Sequence, residues 1–339
     1  MGQAQLNAMW MLDTVFGQPE DLPILRDVER VSPKVIRILG QNPGQLTLQG
    51  TNTYLVGDGP ERLLIDTSDG NSHWWPLVQQ VLKDESAEIT QVVITHGHHD
   101  HVGGLDDVRA AFPKAEIRKW LPCASSEDSC EQFVPNSLTK AFGSVKRRTC
   151  GCDGQVPADC LSLAEDAVLD IGDCQLRVLL TPGHSGDSLC LVLGTEATTE
   201  AILTGDSVLG GRTARFGDLP AYNASLRRLL RIVERSDGVL LLPGHGDVVV
   251  AADSTEYLKS ILRMQTNREK AVLRMLKVSP GTAGDLCSAI YGSSAAALMA
   301  QDLIEQHLED LQAKGRAKSS EGFLGRTWWE PVTLLPMEA

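Results

Sequence analysis

No apolar run in this 339-residue chain approaches the ~20 residues that cross a bilayer, so no helical membrane span is expected. No Lys or Arg precedes Arg26, while Asp13, Glu20 and Asp21 do occur there. A secretory leader needs a basic start, and a mitochondrial presequence is rich in arginine and poor in acids, so neither is expected. Position 6 is Leu6 rather than the Ser or Thr that a myristoylation signal requires after Met1-Gly2. A cytoplasmic protein is the expectation. Positive charge is scarce as well. The 31 Lys and Arg against 44 Asp and Glu leave a formal charge of −13, which opposes non-specific binding to a phosphate polymer. The eight cysteines (Cys123, Cys130, Cys150, Cys152, Cys160, Cys174, Cys190 and Cys287) contain no Cys-x2-Cys pair, so free thiols are expected rather than a second metal site. No internal repeat is present. Histidine is also sparse, and its placement is uneven: four of the eight lie between positions 96 and 101.

Hydrophobic content of 42% and charge of 22% suit a globular chain of one or two domains. Short apolar runs at 35–39, 53–56, 63–65, 92–94, 168–171, 176–180, 188–193, 201–204 and 239–242 read as strands. Gly57-Asp58-Gly59-Pro60 closes a hairpin between the second and third of these. Helical spacing marks 74–83, 102–112 and 224–233. From about Tyr257 the character changes to three helices, 257–276, 283–290 and 295–313, with Gly315 as a C-cap and a hairpin over 322–332. Helix, helix, helix, hairpin is the outline of a winged-helix-like module. The class is α/β. Residues 121–164 are irregular, rich in Cys, and carry the basic triplet Lys146-Arg147-Arg148, read as a solvated charge run.

Chemistry concentrates where strands stop. The stretch Thr95-His96-Gly97-His98-His99-Asp100-His101 follows one apolar run. Three later runs end in Thr181-Pro182-Gly183-His184, Gly205-Asp206 and Pro243-Gly244-His245. Ends of neighbouring strands converge in space, which is where sheet-based sites are built. Two zinc ions sharing a water need about seven N or O ligands. His96, His98, Asp100, His101, His184, Asp206 and His245 supply that number. In an extended His96-x-His98 both imidazoles face one side, whereas Asp100 and His101 lie past the bend, so one loop can feed two metals. A carboxylate between two cations is a natural bridge. His99 is expected to face solvent or the cleft rim, and His73 and His307 to be plain surface residues.

These four motifs, in this order, resemble the metallo-β-lactamase superfamily. Upstream, Arg37-Ile38-Leu39-Gly40-Gln41-Asn42-Pro43-Gly44 and the stretch LTLQGTNTYLVG at 46–57 resemble the branch of β-lactamase-like protein 2 and of the fungal thioesterases that act beside non-reducing polyketide synthases. The resemblance spans roughly residues 28–315. It implies an αββα sandwich over 28–256, preceded by an extension over 1–27 and followed by the winged-helix-like module at 257–339. It also implies that His96, His98 and His184 hold a first zinc, that Asp100, His101 and His245 hold a second, and that Asp206 bridges them, with Asp100 able to orient the nucleophile. The implied activity is hydrolysis of a thioester on an acyl-carrier domain of a polyketide synthase, or of a small thioester as in glyoxalase II. A metal-dependent endoribonuclease on single-stranded RNA is the rival implied by the same branch. A non-catalytic partner-binding role for the tail is a third reading.

Overall fold

A computed structural model describes residues 22–122, 159–195, 198–292, 295–322 and 326–332. The expected extension up to residue 21, most of the Cys-rich segment and the triplet at 146–148 lie outside them. The described residues form two compact units that divide between Leu258 and Lys259.

The larger unit holds two sheets. Strands β1 (Val28–Ser32), β2 (Val35–Leu39), β3 (Asn52–Val56), β4 (Glu61–Ile65), β5 (Glu88–Ile94), β6 (Glu116–Lys119) and β7 (Leu161–Ser162) lie side by side in chain order. The pairs are antiparallel up to β3–β4 and parallel from β4–β5 onward. The second sheet runs β12-β11-β10-β9-β8, built from β8 (Val168–Ile171), β9 (Cys174–Leu180), β10 (Leu189–Gly194), β11 (Thr199–Gly205) and β12 (Leu240–Pro243).

Alternation along each strand makes the layers. Val35, Tyr54, Val56, Leu63, Ile65 and Val93 meet Leu176, Val178, Leu180, Leu189, Leu191 and Leu203 of the second sheet. Their chain neighbours Ile36, Ile38, Leu55, Leu64, Val92 and Ile94 face the other way, onto Trp74, Val78, Val102, Leu105 and Val108. Successive side chains of a strand point to opposite faces, so a strand buried on both faces reads as a continuous apolar run. The helices on the outer face of the first sheet are α1 (Trp74–Asp84), α2 (His99–Val102) and α3 (Leu105–Ala111). Helix α4 (Leu219–Val233) is tied to the strand end of the second sheet: Ser225 Oγ donates to Pro182 O (2.7 Å) and Arg228 Nη1 to Leu180 O (2.9 Å). The expected αββα sandwich is the observed architecture.

Three element readings need correction. The single helix expected over 102–112 is two helices, broken at Gly103-Gly104. Gly103 N donates to Ser68 O and Gly104 N to Thr67 O, and a Cβ on Gly104 would stand 2.2 Å from Thr67 O. The loop after β4 therefore presses into the helix where only glycine fits. Helix α4 begins five residues before the expected 224, because the Asp218 carboxylate caps it by accepting from Ala221 N (2.9 Å) and Pro220 suits a first turn. Strands β1, β6 and β7 have polar or short sequences that carry no apolar run.

In the second unit, α5 (Ser254–Val278, starting a few residues before the division), α6 (Ala283–Tyr291) and α7 (Ala295–Ala313) precede the hairpin of β13 (Ala317–Glu321) and β14 (Thr327–Pro331), which opens before the expected 322 because the polar Lys318–Glu321 carries no apolar signal. Val272, Leu276, Leu286, Ile304, Leu308, Leu311 and Trp329 form its core. Trp328 points outward while Trp329 is buried, as strand alternation requires. His307 is buried, not a surface residue: it follows Leu303 and Ile304 by a helical turn and so shares their inward face.

Candidate metal centre

The site lies at one end of the sandwich, where β5, β9, β11 and β12 stop. His96 and His98 follow β5; Asp100 and His101 sit on α2; His184, Asp206 and His245 follow the other three strands. All seven expected side chains come together. His96 Nε2, His98 Nδ1 and His184 Nε2 form a triangle with edges of 2.9, 3.1 and 3.2 Å. Beside it, His245 Nε2 lies 3.2 Å from Asp100 Oδ2 and 3.3 Å from His101 Nε2. Asp206 stands between the two groups, with its oxygens 3.5 Å from His101 Nε2, 3.5 Å from His184 Nε2 and 3.4 Å from His245 Nε2. His99 is exposed and outside the cluster.

The rings are held by their outer nitrogens. Thr95 Oγ1 donates to Asp66 Oδ2 (2.8 Å), so at 3.1 Å it must accept from His96 Nδ1–H. His101 Nδ1 donates to Asp66 Oδ2 (2.7 Å), His184 Nδ1 to Arg215 O (2.9 Å) and His245 Nδ1 to Gly50 O (3.4 Å). With Nδ1 engaged on the outer side, each of these four imidazoles turns its Nε2 inward, the orientation that ligating histidines take. Lone pairs about 3 Å apart repel unless a cation lies among them. Ligand nitrogens around a tetrahedral zinc sit about 3.3 Å apart. The buried Asp206 Oδ1 accepts no hydrogen bond, an oxygen left for a cation. The donor set therefore fits a pair of divalent metals.

Electrostatics divides the two groups. Desolvation, then the neighbouring imidazoles, holds His96 well below the usual histidine range and His98 down to about 4, so these rings are neutral donors at pH 7. In the second group burial opposes charge but loses to close partners. Asp206 and Asp100 raise His245 to about 10, while the hydrogen bond from His245 and the charges of His101 and His245 bring Asp100 to about 2.

Three supports went unread in the sequence. Asp66, with φ 58°, accepts from Thr95 N, Thr95 Oγ1 and His101 Nδ1, so it fixes two ligand positions at once. Its only sequence signal is an acid closing an apolar strand. The fully buried Asp187 accepts from Gly97 N (2.9 Å) and Ser185 Oγ (2.7 Å) and is paired with the buried Lys119, thereby joining the His96–His98 loop to the His184 loop. The 46–57 stretch clamps His245: Asn52 N donates to Gly244 O (2.7 Å), Asn52 Nδ2 to Pro243 O and Gly246 O, and Tyr54 Oη to Pro243 O.

A ββ sandwich flanked by helices, with a His and Asp cluster at one end of its strands, defines a class. Residues 46–245 match the family model of the metallo-beta-lactamase superfamily, and the chain belongs to that superfamily. It is an enzyme of the hydrolase class. The chain is similar to proteins named atrochrysone carboxyl ACP thioesterase from Claviceps purpurea (32% identical, covering 86% of this chain and 83% of the relative) and from Passalora fulva (32%, 93% and 87%). It is also similar to the lactamase-like protein ptaB of Pestalotiopsis fici (34%, 80% and 74%). Among solved structures, a beta-lactamase domain protein from Burkholderia ambifaria shares the fold at a TM-score of 0.71, with 18% identity over 92% of this chain and 96% of that one. A metallo-beta-lactamase family protein from Thermus thermophilus does so at 0.64, with 20% identity over 88% and 99%.

Proposed function

We propose that this chain is a di-zinc thioesterase that releases an acyl or polyketide chain from an acyl-carrier domain. The observation that carries the reading is the convergence of seven N and O donors, four with their outer ring nitrogens already engaged, in a chain whose relatives bear thioesterase names. His96, His98 and His184 would hold one ion, Asp100, His101 and His245 the other, with Asp206 between them. When bound, such a pair polarises a carbonyl oxygen and lowers the pKa of water towards neutrality.

The chain's own residues do the rest. Asp100 is partly exposed, whereas Asp206 is buried, so Asp100 is the carboxylate that reaches the cleft. Ionised at neutral pH, it accepts a hydrogen bond from the attacking water and holds that oxygen in line with the thioester carbon, and the water's proton passes to the departing sulfur. The water oxygen bonds to the thioester carbon, the C–S bond breaks, and the thiol leaves with a proton. Asp66 and Arg215 O keep His101 and His184 from rotating while charge develops.

The test is metal analysis followed by parallel assays on an acyl thioester, read by released thiol, and on a single-stranded RNA. Two zinc ions per chain and thioester turnover are expected. Asp100→Ala should lower kcat about 10²-fold or more, the cost of a misplaced nucleophile. RNA cleavage without thioester hydrolysis, or a protein that retains no metal, would overturn the reading.

A further inference from the structure

We propose that an exposed basic face of α5 is the docking surface for the acidic carrier domain; this rests on the thioesterase reading above. Arg263, Lys270, Arg274 and Lys277 follow one another at spacings of seven, four and three. At 3.6 residues per turn these positions fall within about 60° of one another and span about 21 Å of the helix. All four are exposed, as are Thr266 and Asn267 between them.

The C-terminal part of this row has no acid of α5 to balance it. The one acid of α5 beyond Glu256 is Glu269, which stands off that face and pairs with Lys314 (2.7 Å) and Arg316 (3.0 Å). Lys318 is likewise paired, with Glu330 (2.8 Å). Among the described residues Lys270, Arg274 and Lys277 form no ion pair. Like charges three and four apart destabilise a helix, so the row does not serve α5 itself. It also runs against the rest of the chain: residues 259–339 hold 10 basic and 9 acidic side chains (+1), whereas residues 1–258 hold 21 and 35 (−14).

A row of cations on a rigid helix fits a partner that presents anions in a row. A carrier domain does so through surface carboxylates and through the phosphodiester that joins its prosthetic arm. Single-stranded nucleic acid is the poorer fit, because binding it without sequence preference relies on aromatic platforms, and this face has none.

The test is the triple charge reversal Lys270→Glu/Arg274→Glu/Lys277→Glu, with circular dichroism as a check on folding. Binding of the excised holo carrier domain, its prosthetic thiol free, is measured calorimetrically at low and high salt. Turnover is measured on the acyl-carrier substrate and on an acyl N-acetylcysteamine thioester. Reversal should raise both Kd and the carrier-substrate KM about tenfold or more and flatten their salt dependence, since charges of this kind govern encounter. The kcat and the small-thioester rate should not change, and Glu→Lys changes on the carrier should restore binding. Unchanged carrier affinity in the variant, no carrier binding by the wild type, or loss of single-stranded RNA binding in place of carrier binding would each overturn the proposal. Stripe-dependent carrier binding in a protein inactive on both the acyl-carrier substrate and the small thioester would sink the thioesterase reading and leave the docking surface standing.

Discussion

At the scale of single residues, the site depends on side chains that touch no substrate. Asp66 donates nothing to the cluster centre, yet its carboxylate holds His101 directly and His96 through Thr95. Removing such a partner typically costs 10–100-fold in metal affinity. Asp66→Asn should weaken zinc binding by about that factor in a competition titration with a chromophoric chelator; an unchanged affinity would show that His101 needs no orienting carboxylate. The Lys119–Asp187 pair makes a sharper case, because both groups are buried. Lys119→Met strands the Asp187 charge and should destabilise the larger unit by about 3–5 kcal/mol in urea unfolding. Lys119→Met/Asp187→Asn should recover part of that loss, since no uncompensated charge then remains. His307 gives a prediction in pH. Burial, then the charges of Arg268 and Lys314, keeps its folded-state pKa well below the usual value of 6.5. The unfolded chain therefore binds the extra proton, and stability rises with pH. The contribution is complete above about 6.5 and is lost as pH falls towards the depressed value, by up to about 1.4 kcal/mol per unit. Between pH 7 and 5 the stability of His307→Leu should fall less steeply than that of the wild type, by up to that amount, as denaturation curves would show.

At the scale of elements, backbone contact outranks side-chain periodicity. The apolar spacing of 102–112 suits one helix, but Gly103 and Gly104 admit the loop that follows β4 and turn the chain after His101. Gly104→Ala places a Cβ 2.2 Å from Thr67 O, an atom of the backbone that cannot swing aside. It should lower the melting temperature and loosen Thr67, whose amide and hydroxyl both donate to His101 O, so hydrogen exchange at the Thr67 amide should quicken. Most strands and the 57–60 hairpin were legible because the central strands, such as β2, β3 and β10, are buried on both faces, which writes continuous apolar runs into the sequence. Strands β1, β6 and β7 were not, because edge and short strands bury little. The start of α4 was hidden in Asp218, a cap whose signal is a single polar residue. The clustered donors were legible for a chemical reason: a metal site calls for His and Asp, types that seldom follow a buried strand by accident.

At the scale of the whole molecule, the long-range question is what joins four distant strand ends into one site. If zinc occupies it, folding and metal binding are linked, and a site held at 100 times its Kd adds about 2.7 kcal/mol. Removing metal with a chelator should lower the melting temperature of the wild-type protein markedly, re-adding zinc should restore it, and a variant lacking both Asp100 and His245 should respond less. The sequence by itself determined the α/β class, the layered burial of the strands, the seven donors and the order in which they occur, because hydrophobic period and ligand type are local properties of the chain. Only the tertiary structure decided which nitrogen of each ring faces inward, that Asp66 serves two ligand positions, that Lys119 and Asp187 tie two ligand loops together, and that the 46–57 stretch is a clamp for His245. Those are relations between residues up to about 200 positions apart, such as Gly50 and His245. No local pattern encodes them, because they exist only once the two sheets have packed and brought the strand ends within hydrogen-bonding distance.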